Sequence, residues 1–329
     1  MYAFDARWLG LHGIGRFATE LEKRVPFKVQ FADERHPAGI TSAIRLGHWL
    51  RQSGAKGLYS PGYIPPIGSR LPFVFTLHDL NHLDVPHNSS LAKRLFYSIV
   101  IRPAVDRAYR VVTVSEYSKQ RIVEWAGCSE DKIKVACNGV SSAFREDAEP
   151  ATPGYPYLFC CSNRKGHKNE GRLLAAFKAS GLHRALKLVL TGAADENISL
   201  KIRALGIEDR VMFTGRISEE ALAGWYRGAI ATVFPSLYEG FGLPLIESMA
   251  CGTPVVTSNT TSLPEVGGSA AIYVDPLSVE SIAAGMTQVV EDDALRFKLK
   301  ILGRDRAALF TWDRAAACVS EALIGMTDD

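Results

Sequence analysis

The sequence predicts an α/β protein built of two doubly wound domains with a cleft between them. Three observations carry this. The chain has 329 residues, too many for one ordinary core and suited to two domains of roughly 150 each. Short apolar runs alternate with helical stretches along its whole length. The runs are continuously apolar instead of alternating, the pattern of parallel strands covered on both faces.

The first half supplies the strand candidates "YAFDA", "FKVQFA", "GLYS", "FVFTLHD", "VVTVSE" and "KIKVACN", with a helix, "GIGRFATELEKR", after the first of them. The segment "REDAEPATPGYP" (145–156) is rich in acids, Pro and Gly and reads as the linker. It divides the chain into domains at 1–150 and 151–329. The second half supplies "YLFCCS" (157–162), "LKLVLTG" (186–192), "RVMFTG" (210–215), "AIATVFPS" (229–236), "TPVVTS" (253–258) and "AAIYVD" (270–275). Amphipathic stretches such as "NEGRLLAAFKAS" and "SEEALAGWYRG" separate most of them. The last helix, within about 306–329, is free to pack back on the first domain.

Composition narrows the class. Hydrophobic content is 47% and charged content 22%, ordinary for a globular protein. No apolar run of about 18 residues predicts a membrane span. The opening "MYAFDARWLG" lacks the basic-then-apolar pattern of a secretory signal. The six cysteines, at 128, 137, 160, 161, 251 and 318, form no Cys-x-x-Cys pair. They fit a reducing cytoplasm better than a disulfide framework or a zinc site. Charge is uneven: residues 1–150 hold 20 Lys/Arg against 15 Asp/Glu, the remainder 18 against 20. The basic half includes "AKRLFYSIVIRPAVDRAYR" (92–110). That stretch reads either as an amphipathic helix with one solvated face, or as a surface meeting anionic headgroups at the inner face of a membrane or a phosphorylated acceptor.

Ligands of open parallel sheets bind beyond the carboxyl ends of the strands, so informative residues should follow the apolar runs. "GIGRF" (13–17) follows the first strand and opens a helix. Gly15 is open both to a tight turn and to close backbone approach to phosphate. His78 and Asp79 end "FVFTLHDL" at a strand's carboxyl edge, where His78 is a cleft candidate. Ser115 reads as the cap of the next helix. "CCSNRKGHKN" puts Arg164, Lys165 and Lys168 just after the first strand of the second domain, where clustered cations suit a diphosphate. "SLYEGFGLPLIESMACGTPVV" (236–256) places Glu239 in a loop and Glu247 in the helix after it, with Pro244 in the first turn and Gly252 past the end. The amides of Phe241, Gly242 and Leu243 would face an anion. Carboxylates there suit hydroxyls: one glutamate for a ribose and one for a sugar, with a pyrophosphate between, would make a sugar-nucleotide site.

Taken together, "GIGRF", "LHDL", "VSEYS", "CNGV", "RKGHKN", "FTGRISEEALAGWY" and "FPSLYEGFGLPLIESMACGTPVVTSNTTSLPEVGG" resemble, in order and across nearly the whole chain, the retaining glycosyltransferases of family 4. The glutamate pair with "GFGLP" is the specific motif. The resemblance implies the GT-B fold of two Rossmann-like domains, the first for the acceptor and the second for the nucleotide sugar. It implies Glu247 on the ribose hydroxyls and Glu239 on the transferred sugar near the reacting carbon. It implies Arg164 and Lys168 on the diphosphate, aided by the amides at Gly242 and Leu243, with Gly15 near the phosphates and His78 near the sugar. The loop at Gly215 and Arg216 would lie by the base. No metal or other cofactor is implied. The style of the motifs is similar to bacterial mannosyltransferases of surface-polysaccharide assembly. That similarity implies GDP-mannose as donor, a saccharide or polyprenyl-linked acceptor and a cytoplasmic enzyme, peripheral on the inner membrane face if 92–110 engages lipid. No contact with nucleic acid is implied. The chain departs from the family in the cation loop, where His167-Lys168-Asn169 stands for Arg-Lys-Asn.

Other readings remain open at this stage. A UDP- or dTDP-sugar could replace GDP-mannose. An epimerase, a glycogen-type synthase or a non-catalytic sugar-nucleotide-binding subunit would share the architecture. A dehydrogenase fails for want of the full glycine fingerprint, since position 18 is alanine, and of the acid about 20 residues on.

Overall fold

The computed structural model describes residues 2–10, 13–33 and 37–326. The chain forms two compact units, Met1–Gly139 with Thr311–Asp329, and Val140–Phe310. Each holds one six-stranded, wholly parallel sheet.

In the first unit β1 (Tyr2–Asp5), β2 (Val29–Phe31), β3 (Gly57–Ser60), β4 (Phe73–Thr76), β5 (Arg110–Thr113) and β6 (Ile133–Val135) lie in the order β2-β1-β3-β4-β5-β6. β3 and β4 are buried at every position, as continuous apolar runs require. The core joins Leu58, Phe73, Phe75 and Val111 to helix residues such as Leu46, Ile101 and Ile122. Ser115 caps the helix Glu116–Ala126 by accepting from the Ser118 amide at 3.0 Å. The C-terminal helix Trp312–Leu323 belongs to this unit. The Tyr2 hydroxyl donates to Leu323 O at 2.8 Å, and Trp312 packs edge-on against Phe17 at 6.2 Å.

In the second unit β7 (Tyr157–Cys160), β8 (Lys187–Leu190), β9 (Val211–Phe213), β10 (Ala231–Phe234), β11 (Val255–Ser258) and β12 (Ile272–Val274) lie in the order β12-β11-β10-β7-β8-β9. The chain enters at β7 in mid-sheet, winds to one edge, then returns to place β10 on the other side of β7. That reversal makes the carboxyl ends of β7 and β10 the expected ligand crevice.

Two expectations need correction. The units divide at Gly139–Val140 and again at Phe310–Thr311 instead of near residue 150. The Pro- and acid-rich segment is not a free linker, because the second unit binds it. Ala151 N donates to Gly224 O at 2.9 Å, Arg227 donates to Glu146 O at 2.6 Å, and the Glu146 carboxylate pairs with Lys300 and Arg304. Those two cations hold the Glu146 carboxyl well below its usual range, at about 2. The stretch 92–110 is helical, as Leu91–Phe96, a π turn Tyr97–Ile101 and Arg102–Arg107. Its outward face is not wholly polar, since Leu95 and Ile99 are exposed.

Candidate active site

The loop after β7 is tied to the loop after β10 at several points, Asn169 first among them. Asn169 adopts a left-handed conformation, φ 61°, which asparagine tolerates better than most side chains. Buried there, its Nδ2 donates to Pro235 O at 2.9 Å and Pro276 O at 2.7 Å. The Leu237 amide donates to His167 O at 2.7 Å. Two loops from strands adjacent in space are thereby fastened together. Burial keeps the His167 imidazole neutral, its pKa pushed down to about 4. His167 therefore does not replace the charge that an arginine would carry.

This fastening sets Lys168 against Glu239. Lys168 Nζ lies 2.7 Å from Glu239 Oε1, with both side chains nearly buried. The same ammonium sits 5.0 Å from the centre of the Phe234 ring, the last residue of β10. An ammonium carries three N–H donors and a carboxylate two oxygens, so the pair leaves capacity on each partner. The loop that bears Glu239 is held from behind. Ser262 Oγ donates to Glu239 O at 2.9 Å and to Phe241 O at 3.1 Å, and the Glu239 amide donates to Thr261 Oγ1 at 3.3 Å.

Gly242 precedes the helix Leu243–Ala250 with φ 99°, where a Cβ would also come within 2.7 Å of Leu263. Only glycine turns the chain into the helix here without strain. Pro244 lies in the first turn, as its sequence position implies. The helix start presents the positive end of its dipole on the same loop as Glu239. Glu247, one turn in, is buried, and the Tyr226 hydroxyl donates to its Oε2 at 3.0 Å.

Arg164 is placed differently. It too is left-handed, φ 63°. Its Nη2 donates to Thr191 O at 2.6 Å and Ala193 O at 3.3 Å, its Nη1 pairs with Glu170, and its Nε reaches Ala193 O at 3.4 Å. The guanidinium also lies 5.1 Å from the Phe213 ring centre. It braces the loops after β8 and β9, which Gly192 and Gly215 join through reciprocal backbone bonds of 3.1 Å. A diphosphate would have to compete with these carbonyls for it. Arg216, beyond Gly215, is exposed.

The remaining two predicted residues lie at the carboxyl edge of the first sheet. A Cβ on Gly15 would come within 2.7 Å of Gly10 O, so the fold itself already requires glycine there. His78 Nε2 donates to Pro61 O at 2.9 Å, and the ring packs edge-on against Phe17 at 5.0 Å. A carbonyl can only accept, so the proton is on Nε2 and Nδ1 holds the lone pair. Burial lowers this imidazole to about 4, which makes it neutral at pH 7.

Of the residues predicted from sequence, Lys168 pairs with Glu239 and Glu247 lies buried against Tyr226, while the contacts of Asn169 and Tyr226 were not anticipated. The signal for Asn169 was present: an asparagine between a cation loop and a helix, at a turn that needs a left-handed residue. Tyr226 gave no local signal, since its helix pattern explains it as core. Among the described residues no group of three or more His, Cys, Asp or Glu side chains comes together as for a metal.

Comparisons with known proteins agree with this fold. Residues 8–144 match the family described as Glycosyltransferase Family 4, and residues 143–306 match Glycosyl transferases group 1. O-antigen chain mannosyltransferase B of Escherichia coli is 31% identical over 296 residues, covering 83% of this chain and 77% of that protein. Among solved structures, sucrose-phosphate synthase from Thermosynechococcus elongatus aligns with a TM-score of 0.77 at 18% identity, over 97% of each chain. HepE of Anabaena in complex with UDP-glucose aligns at 0.75 with 18% identity, over 98% of each. The motif order, the two parallel sheets and the family matches along the chain place it among the family 4 glycosyltransferases, as an enzyme of the GT-B fold.

Proposed function

We propose that this glycosyltransferase moves mannose from GDP-mannose, with retention of anomeric configuration, to a saccharide or polyprenyl-linked saccharide in surface-polysaccharide assembly. The observation that carries the catalytic part is the Lys168–Glu239 pair, fixed by Asn169 and Ser262 where the second sheet reverses its winding. The mannose part is supported by the E. coli relative, which is named a mannosyltransferase.

In this reading Glu247, held by Tyr226, accepts hydrogen bonds from the ribose hydroxyls. Glu239 orients the sugar through its hydroxyls. Lys168 and the helix start at Leu243 face the diphosphate. As the anomeric C–O bond breaks, its electron pair passes to the diphosphate oxygen, and the Lys168 charge stabilises that oxygen. The acceptor hydroxyl oxygen bonds to the anomeric carbon on the same face, and its proton passes to the leaving phosphate oxygen. Neither glutamate is a nucleophile, and no metal ion is required. Arg164 shapes the base-binding loops instead of touching phosphate. The carboxyl edge of the first sheet, with neutral His78, serves the acceptor.

The competing donor is UDP-glucose, the ligand in the HepE complex. A melting-temperature screen of nucleoside diphosphates and their sugars separates the two, because a ligand that binds the folded state raises the midpoint with its affinity. GDP and GDP-mannose should raise it most, and the product formed from GDP-mannose should carry an α linkage by NMR. A larger shift with UDP-glucose would overturn the donor assignment, and a β-linked product would overturn retention.

A further inference from the structure

We propose that a cavity at the amino ends of β4 and β5, in the first unit, binds a small soluble molecule through a phosphate or pyrophosphate group. The cavity has a volume of about 490 Å³, and Arg70, Leu71, Phe73, Arg107, Tyr109 and Met326 line it. Phe73 and Met326 are buried. Gly57, the first residue of β3, packs on Met326 so closely that a Cβ there would come within 2.6 Å of its methyl carbon. This is the amino edge of the sheet. Gly15 and His78 lie at the carboxyl edge, so the cavity is neither the proposed donor crevice nor the proposed acceptor edge.

The lining decides the ligand. No lining residue is acidic, and Asp106, next to Arg107 in sequence, is exposed and outside the lining. Arg107 is held in place. Its guanidinium lies 5.6 Å from the centre of the Phe73 ring, and its Nη2 donates to Ser69 O at 2.9 Å. That bond uses one of five N–H groups, and the other four have no protein acceptor among the described residues. Arg70 is exposed and has no hydrogen-bond or ion-pair partner among the described residues. Beside the cavity, the Arg110 guanidinium lies 5.0 Å from the centre of the Tyr109 ring, whose hydroxyl is fixed by donating to Ile324 O at 3.0 Å. One guanidinium matches one carboxylate. Two in the lining and a third beside it suit the near-double charge and three acceptor oxygens of a phosphate. An anion bound there would tie the turn before β4 to the helix end before β5. The inference stands apart from the donor assignment and survives its failure.

The test is calorimetric titration of the full chain with pyrophosphate, in Lys168→Ala so that the diphosphate crevice is weakened. Pyrophosphate should still bind, and should raise the melting temperature with its affinity. Adding Arg70→Gln and Arg107→Gln together should weaken that binding at least about tenfold, the loss expected for charge-assisted hydrogen bonds. Because Arg107 also packs on Phe73, Arg70→Gln alone is the control for folding. It should weaken binding about threefold or more while the melting temperature without ligand matches its parent. Acetate at the same concentration should bind at least about tenfold more weakly than pyrophosphate. Equal pyrophosphate binding with and without the two arginines would overturn the proposal. So would the absence of binding in Lys168→Ala, which would put all of the pyrophosphate in the donor crevice. Acetate binding as tight as pyrophosphate would overturn the ligand class.

Discussion

Tyr226 touches no reacting group in the proposed mechanism, yet it holds the carboxylate proposed to bind the donor. Its hydroxyl is buried with the Glu247 carboxylate and donates to it. Without that donor the carboxylate keeps its charge but loses a partner that fixes its orientation. Tyr226→Phe should therefore raise the donor KM by about tenfold and change kcat by less than about twofold, since the proposed ribose contact of Glu247 would be the same in ground and transition states. Steady-state kinetics at saturating acceptor check this, and an unchanged KM would remove Tyr226 from the donor site. Arg164 makes the opposite point. From the sequence it is a phosphate cation, because basic residues cluster after a strand. The fold spends its guanidinium on Thr191 O, Ala193 O and Glu170. Sequence shows which charges are near one another, but not which carbonyls compete for them.

At the scale of elements, the strands were the most legible feature. Among the described residues, eleven of the twelve strands lie within an apolar run read from sequence and β5 starts one residue before its run, at Arg110; β3 and β4 are buried at every position, as a parallel strand covered on both faces must be. The helix Leu243–Ala250 was equally plain from Pro244 and Gly252. The joining of elements was less so: the Asn169 bonds link residues 66 and 107 positions away, beyond any local pattern. Two loops that leave strand ends also carry a pH signature. His78 after β4 and His167 after β7 each titrate at about 4, because burial disfavours the charged ring. In the unfolded chain each titrates near 6.5. Between those values the unfolded state binds more protons, so stability falls as pH drops from about 6.5 towards 4 and is flat above 7. Allowing for the water that still reaches part of each ring, the loss from pH 7 to pH 5 should be about 2 kcal/mol for the pair. Urea unfolding at the two pH values measures it, and His167→Gln should remove about half. A stability unchanged at pH 5 would mean that the rings are charged in the fold.

At the scale of the molecule, sequence spacing suggested two domains, but not where the chain divides. The segment 145–156 looks like a linker by composition, and composition does not reveal that Gly224 O, Arg227, Lys300 and Arg304 hold it. The return of Trp312–Leu323 to the first unit depends on contacts such as Tyr2 with Leu323, at opposite ends of the chain. The second unit places one ammonium and one carboxylate, Lys168 and Glu239, at the reversal point of its sheet. The central claim is that this pair acts on the bond that breaks. Its most direct measurement is kcat for transfer from GDP-mannose in Lys168→Ala and Glu239→Ala, with folding checked by melting temperature. Loss of an electrostatic stabiliser of the leaving group should lower kcat by about a hundredfold or more in Lys168→Ala, and Glu239→Ala should fall comparably. A folded Lys168→Ala protein that transfers mannose within about twofold of the wild-type rate would contradict the account.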